Sequence, residues 1–419
     1  MKVLIVSQYF WPEEFLINDL VKNLVKSKKV YLEVLTGKPN YPSGVFFKDY
    51  EMNPEKYSFY GETKIHRVKI FPRGKNNKFK LALNYFSFVI SASIKVLFDL
   101  RHNKYDLIFV YEPSPITVCL PAILLKKLTK IPIIFWVLDL WPATLKSLNV
   151  IRSRFILSMI DRLVRFIYKN CDLILGQSRS FVEEISRYVN QNKVEYFPNW
   201  VESAFEADMK LDFNDIEMNA RYATEFNSYF TKREFKVLFA GNVGEAQDFD
   251  SIIETAKLIK INKMNACIYV LGDGRMLERS VKRVLEEGLH EQMKFLGRYN
   301  ATLMPLFYDT ADSFLVSLRN SQVFSMTIPA KIQSYMHAGK PILSMLSGEG
   351  YDTINTSQSG LAAQSGDYSA LYLNIEKLSK MPKDKLLEMG ENGKKYAKRE
   401  FSPLVLTNRL IEFFNQVRI

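Results

Sequence analysis

The chain has 419 residues, 47% of them hydrophobic and 24% charged, and a net charge of +12. That mix excludes a mainly disordered chain, a collagen-like repeat and a multi-span membrane protein, and the length suggests two or three domains. The charge is uneven: residues 1–200 carry +13 and the remainder −1, so the first half calls for an anionic partner unless it is only a solvated lysine-rich surface.

The chain opens with Val3–Val6, an apolar run too short for a signal-peptide core, which predicts a buried strand. Further strands are predicted at Val30–Leu35, Ile65–Ile70, Leu107–Tyr111, Ile133–Leu138, Leu173–Gly176 and Val194–Phe197. Several are apolar throughout, as strands covered on both faces of a parallel sheet should be. Helical stretches fall between them at about 14–29, 79–101, 115–129, 153–170 and 179–190. The alternation predicts a doubly wound α/β domain. The 79–101 stretch is the most apolar, but Asn84, Ser87, Ser91, Ser93 and Lys95 interrupt it. A spanning helix is therefore not expected, whereas a helix resting on a membrane surface fits.

Residues 200–234 break the rhythm and read as a linker with irregular helix. Strands then restart at Val237–Ala240, Ala266–Leu271, Lys294–Leu296, Ser313–Val316 and Pro341–Met345. Helices are expected at about 249–262, 276–288, 302–310 and 330–338, and a helical tail at 368–417. The expected organisation is α/β throughout: a Rossmann-like domain over 1–200, a linker and second Rossmann-like domain over 201–400, and a helix at 401–419 packing back on the first. Ligands in such sheets bind beyond the carboxyl ends of the strands. The cysteines Cys119, Cys171 and Cys267 lie far apart, as do the four histidines, so neither a disulfide framework nor a metal cluster is expected.

Three loops carry chemistry. Gly241-Asn242-Val243-Gly244-Glu245-Ala246-Gln247 joins a strand to a helix, and its glycines open the backbone to an anion at the helix start. Gly272-Asp273-Gly274-Arg275 follows the next strand, with Arg275 suited to a phosphate. Thr327-Ile328-Pro329-Ala330-Lys331 opens a third helix, with Thr327 as the expected cap and Pro329 as its first residue. A lysine in a first helical turn opposes the helix dipole unless an anion binds there. Each loop also has a plainer reading as an ordinary turn with solvated side chains.

Together these loops resemble those of family-four retaining glycosyltransferases with the GT-B fold. The resemblance runs from Met1 to the C-terminal helices. A narrower likeness, to bacterial N-acetyl-L-fucosamine transferases of O-antigen and capsule assembly, rests on several strings. These are Val6-Ser7-Gln8-Tyr9-Phe10-Trp11-Pro12-Glu13-Glu14-Phe15, Thr36-Gly37-Lys38-Pro39-Asn40-Tyr41-Pro42, Pro113-Ser114-Pro115, Trp136-Val137-Leu138-Asp139-Leu140-Trp141-Pro142 and Ile328-Pro329-Ala330-Lys331-Ile332-Gln333-Ser334-Tyr335. The resemblance implies two Rossmann-like domains facing a cleft, a UDP-sugar donor on the second domain, and a lipid-linked glycan acceptor on the first. It implies no cofactor beyond the donor and no catalytic metal. A place on the cytoplasmic face of the cell membrane follows from it together with the basic first half.

Four positions depart from the wider family pattern. Its phosphate-binding Arg and Lys fall at Asn242 and Gln247, its ribose-binding glutamate at Ser334, and its first-domain histidine at Leu138, beside Asp139. Lys331, Arg275 and Arg319 are left to neutralise a diphosphate, and Asp139 is the catalytic candidate. Glu13, Asn18 and Glu112 are candidates for the acceptor. Asp248-Phe249-Asp250 spells a metal signature of another fold, but at a helix start it suits the dipole. Two other readings compete: a sugar-nucleotide epimerase of the same fold, and a basic nucleic-acid-binding protein, for which no recognition motif is present.

Overall fold

The structure, a computed structural model, describes residues 1–74, 77–147, 151–200, 229–231, 233–299 and 303–418. Most of the expected 200–234 linker lies outside these residues. The chain divides into two compact units, Met1–Pro198 with Pro403–Ile419, and Asn199–Ser402.

The first unit runs β1 (Lys2–Val6), α1 (Leu16–Lys26), β2 (Tyr31–Gly37), α2 (Lys48–Met52), β3 (Phe59–Tyr60), β4 (Thr63–Val68), α3 (Lys78–Phe98), β5 (Leu107–Glu112), α4 (Leu120–Thr129), β6 (Ile133–Val137), α5 (Ala143–Ser147), α6 (Arg154–Asn170), β7 (Leu173–Gly176), α7 (Arg179–Ser186) and β8 (Val194–Tyr196). Its sheet has the order β3-β4-β2-β1-β5-β6-β7-β8. Every pairing is parallel except β3 with β4. Ile5 pairs with Val34 on one side and Phe109 on the other. Strand order reverses there, between β1 and β5, and this is where a doubly wound sheet opens a crevice.

The second unit runs β9 (Phe235–Ala240), α8 (Phe249–Ile261), β10 (Ala266–Leu271), α9 (Leu277–Glu286), β11 (Met293–Gly297), α10 (Met304–Thr310), β12 (Ser313–Ser317), α11 (Gln322–Ser325), α12 (Ala330–Ala338), β13 (Ile342–Met345), α13 (Glu349–Ser357), β14 (Gly360–Ala363), α14 (Tyr368–Ser379) and α15 (Lys383–Glu400). Its sheet, β11-β10-β9-β12-β13-β14, is wholly parallel and reverses between β9 and β12.

Three features differ from the sequence reading. The helix expected at 115–129 begins as a 3-10 turn over Ile116–Cys119. The expected tail helix is three helices, interrupted at Pro382 and near Pro403, because proline cannot donate to a helix interior. Elements α2, β3, α5, α11, α13 and β14 were not anticipated; at β14, Gly-Leu-Ala-Ala is too small and short to read as a strand. Strand β14 forms because Gly360 can come close to β13: a Cβ there would lie 1.8 Å from the Ile342 carbonyl oxygen.

By length and composition α3 could cross a membrane. It nevertheless packs against β2, β4 and α4, with Asn84, Phe88, Ala92 and Val96 buried. A helix committed along one side to a sheet cannot also be sheathed in lipid. Its outer row, Phe79, Phe86, Ile90, Ile94 and Phe98, is exposed.

The last helix, α16 (Pro403–Val417), belongs to the first unit. Its fully buried Phe414 meets Phe109 of β5 at 5.7 Å between ring centroids, and Phe413 meets Phe197 at 6.3 Å. Arg418 reaches Asp106 at 3.3 Å from a half-exposed position. Phe414→Ala should therefore cost about 3–5 kcal/mol of unfolding free energy in denaturant titrations. Arg418→Ala should cost no more than about 1 kcal/mol. Equal costs for the two would refute a core role for α16.

Candidate active site

In the second unit the carboxyl ends of β9, β10 and β12 converge on the start of α12. Glycine is required at the first two loops, though not to leave the backbone open. A Cβ at Gly241 (φ 136°) would lie 2.5 Å from Lys331 Cε, and one at Gly272 (φ 140°) would lie 1.9 Å from the Gly241 carbonyl oxygen. A Cβ at Gly274 would stand 2.3 Å from the Val243 carbonyl oxygen. The two loops are laced together, Val243 donating to Asp273 O at 2.9 Å and Met276 to Val243 O at 3.0 Å.

The glutamine that stands in for a family lysine closes its own loop. Gln247 Oε1 accepts from the Gly244 amide (3.1 Å) and from Asn242 Nδ2 (3.2 Å). The Gly244 amide, expected to be open to phosphate, is thus occupied. Glu245, Asn242 and Arg275 are exposed. Arg319 is engaged with Asp248 (3.8 Å) and Asp250 (3.6 Å), and Asp250 also meets Arg283 at 3.1 Å. The D-x-D string is therefore one side of an ion-pair network. Thr327 does not cap α12: its hydroxyl donates to Phe324 O, and Pro329 occupies the cap position, one residue earlier than expected. Ser334 lies half-buried one turn beyond Lys331.

Lys331 is different. Its Nζ is shut from solvent with no hydrogen-bond partner, and sits 3.5 Å from the centroid of the Phe239 ring. Burial alone pulls its pKa down to about 7. Lys331 thus lies in the first turn of a helix, against the Gly241 backbone and the Phe239 ring, where a cation opposes the helix dipole.

In the first unit the polar groups gather where β1, β5 and β6 end. Glu112 is fully buried, and its carboxyl is pushed well above the usual range by burial and then by the nearby Asp139. Its Oε2 accepts from the Asp139 amide at 3.2 Å, its backbone oxygen accepts from Leu138, and its Oε1 has no partner. Asp139 accepts from Trp141 Nε1 at 3.1 Å, and burial raises its pKa. Ser114, at the left-handed φ of 109°, reaches both Asp139 and Tyr85. Such backbone strain in a non-glycine residue concentrates at functional sites.

Glu13 and Asn18 stand apart from this cluster. Glu13 Oε1 accepts from the Asn40 and Tyr41 amides, both at 2.8 Å, and Oε2 accepts from Phe10. Asn18 accepts from the Trp11 amide and donates to Glu13 O. Glu13 ties the loop after β1 to the loop after β2, and Asn18 holds the loop after β1 to the start of α1. Burial raises Glu13 to about 7 in spite of its three amide donors. Sequence reading missed Tyr9, Arg73 and Tyr85. Tyr9 and Ser114 lay inside quoted strings, but nothing around Arg73 or Tyr85 announced them.

Residues 20–205 match the family model described as Glycosyltransferase Family 4, and residues 223–396 the model described as Glycosyl transferases group 1. Over the full length of both chains, the protein is 21% identical to the putative colanic acid biosynthesis glycosyl transferase WcaI of Escherichia coli K12. Its fold is shared with Anabaena HepE, solved with UDP and glucose, at TM-score 0.64 and 13% identity, covering 99% of this chain and 100% of that one. It is shared too with sucrose-phosphate synthase from Thermosynechococcus elongatus, at TM-score 0.72 and 14% identity, covering 99% and 98%.

The Lys331 geometry has a consequence for the unliganded protein. A lysine whose pKa falls from 10.5 to about 7 on folding weakens the fold most below about pH 7, and the penalty fades as pH rises towards 10.5. Lys331→Met should therefore raise the melting temperature of the empty protein at neutral pH, by about 2–4 °C for each kcal/mol gained. The same change should weaken UDP binding about tenfold or more, through loss of a charge-assisted contact. Melting curves between pH 6 and pH 10, with calorimetry against UDP, check both. A variant that is no more stable and binds UDP unchanged would mark Lys331 as an ordinary packing residue.

Proposed function

We propose that this chain, a glycosyltransferase of GT-B fold, is a retaining enzyme that moves a sugar from a UDP-linked donor to a polyprenyl-diphosphate-linked acceptor in surface-polysaccharide assembly. The observation that carries the reading is the enclosed, partnerless Lys331 ammonium at the start of α12. It suits the diphosphate of a nucleotide sugar, and it replaces the basic pair that this chain lacks at Asn242 and Gln247. The full-length likeness to a colanic acid transferase supports a glycan product, and the UDP-bound relative supports the donor. The donor sugar we assign is N-acetyl-L-fucosamine or a related amino-deoxy sugar, on the strings shared with that group. The glycosyltransferase family matches favour transfer over epimerisation.

Chemistry of this class breaks the bond from the anomeric carbon to the leaving phosphate oxygen, and the electron pair stays on that oxygen. Lys331 and the α12 amides would steady the growing negative charge. The acceptor hydroxyl attacks from the face the diphosphate leaves, and the departing oxygen takes its proton. Asp139 orients that hydroxyl, or balances positive charge developing on the ring. Glu112, its pKa pushed up by burial, fixes the Asp139 backbone by accepting from the Asp139 amide.

Attachment to the cytoplasmic face of the membrane belongs to the same proposal. Helix α4 packs against both α3 and α6. The exposed row of α3 is matched on α6 by exposed Phe155, Ile156, Met159 and Phe166, with Arg154, Arg162, Arg165 and Lys169 on the same helix. Apolar side chains flanked by cations are the composition of a surface that rests on anionic lipid.

Two measurements test these points. Incubation with a panel of UDP-sugars and a short polyprenyl-diphosphate-linked acceptor should yield one glycosylated product with retained anomeric configuration. In that assay Asp139→Asn should lower turnover about 10²–10⁴-fold with UDP affinity unchanged. A folded variant with near-normal turnover would remove Asp139 from catalysis. Separately, the full chain should sediment with anionic vesicles at low salt and release as salt rises, each basic residue near the surface contributing about 1 kcal/mol. Equal sedimentation with neutral and anionic vesicles would sink the surface reading.

A further inference from the structure

The first unit contains two arginines near the ends of β2 and β4, and they are used differently. Arg67 is half-buried and spends its guanidinium on backbone carbonyls, those of Gly37 (2.9 Å), Trp11 and Tyr57 (3.4 Å), with Tyr50 beneath it. It holds loops together. Arg73 lies over the Tyr41 ring at 5.2 Å and donates from Nη1 to the Tyr9 hydroxyl at 3.1 Å. Among the described residues it forms no ion pair. A guanidinium has five N–H donors in a fixed fork, so most of Arg73's hydrogen-bonding capacity is left for something else.

Its surroundings narrow what that is. Tyr85 of α3 is within electrostatic reach of Arg73, Asp139 and Glu112, and bonds Ser114. Ser114 also bonds Asp139, so Tyr85 and Ser114 stand between Arg73 and Asp139, beyond the ends of β4, β5 and β6. Burial, and then the nearby Asp139, push the Glu112 carboxyl well above the usual range, and it forms no ion pair with the arginine. On the Arg73 side lies an aromatic cluster: Tyr9 stacks on Phe15 at 5.1 Å, and Tyr41, half-buried, leans on both at 5.8 and 5.1 Å. Aromatic faces suit the apolar side of a sugar ring, and an unpaired guanidinium suits a phosphate.

We propose that Arg73 binds a phosphate or diphosphate carried by the acceptor sugar itself. The acceptor is then short: its anionic group sits beside the same ring whose hydroxyl faces Asp139, not at the far end of a long glycan. The proposal rests on the reading of this region as the acceptor side. It adds the chemical class and length of the acceptor, and makes Arg73 a specificity-determining residue.

Binding can be measured without turnover, which keeps this inference separate from the proposed reaction. The probes are an N-acetylhexosaminyl diphosphate bearing a short prenyl chain, the corresponding soluble sugar 1-phosphate, and the neutral methyl glycoside. By calorimetry, the full-length protein should bind the first two and bind the neutral glycoside about tenfold or more weakly, as loss of a charge-assisted contact implies. Arg73→Ala should lose that preference, and Arg73→Lys should keep part of it. Both variants should match the parent in UDP affinity and melting temperature, which separates loss of the anion contact from loss of fold. Prenyl-linked ligand binding more tightly than sugar 1-phosphate identifies a lipid-linked acceptor; equal binding identifies a soluble glycosyl phosphate, and both support the Arg73 site. Unchanged preference in a folded Arg73→Ala protein, or equal binding of the neutral glycoside by the parent, overturns it. Failure of the proposed transfer would appear differently, as normal binding of these ligands with no product from any UDP-sugar.

Discussion

Parallel pairing governs this molecule. When neighbouring strands run in one direction, all their carboxyl ends emerge along one edge, and the chain must cross over a face to begin the next strand. In each unit the first strand takes the middle of the sheet, β1 between β2 and β5, and β9 between β10 and β12. The loops leaving these central strands diverge to opposite sides, and a crevice opens where they part. Every candidate functional group described above leaves a strand at such an edge or sits on the element that follows it.

The two crevices handle charge in opposite ways. In the second unit a cation is removed from water and given no counter-ion, while nearby Arg319 is neutralised by Asp248 and Asp250. In the first unit two carboxyls are crowded together, and burial raises the pKa of both Glu112 and Asp139. Arg73, bonded to the Tyr9 hydroxyl, forms no ion pair among the described residues. On the proposed reading, one crevice would take an anion beside Lys331 and the other beside Arg73. The arrangement fits chemistry in which two phosphorylated substrates must be told apart.

The sequence disclosed the two sheets well, because buried parallel strands are apolar throughout and stand out between helices. It failed at β14, whose identity as a strand comes from the neighbouring β13 edge and from Gly360's lack of a side chain. It named Lys331, Asp139 and Glu112 from position and string likeness. It misjudged the glycines, expecting open backbone where the loops are in fact laced to each other, because a glycine looks the same in sequence whether its missing Cβ admits a ligand or another loop. It took Glu13 and Asn18 for ligands of an acceptor, although both are spent on amides at the loops after β1 and β2. Arg73 was invisible because its meaning lies in what it does not pair with, which only the neighbours contributed by other strands can show.

The return of α16 to the first unit has a consequence for biosynthesis. Residues 199–402 are an insertion in the fold of the first unit, whose core is closed by Phe413 and Phe414 at the very end of the chain. As the polypeptide leaves the ribosome, the β1–β8 sheet is complete long before the helix that seals it exists. The second unit, contiguous in sequence, can finish first. Over that interval Phe109 and Phe197 lack their final covering. A chain cut short before its last helix would leave Phe109 and Phe197 uncovered, an apolar seam on an otherwise finished sheet.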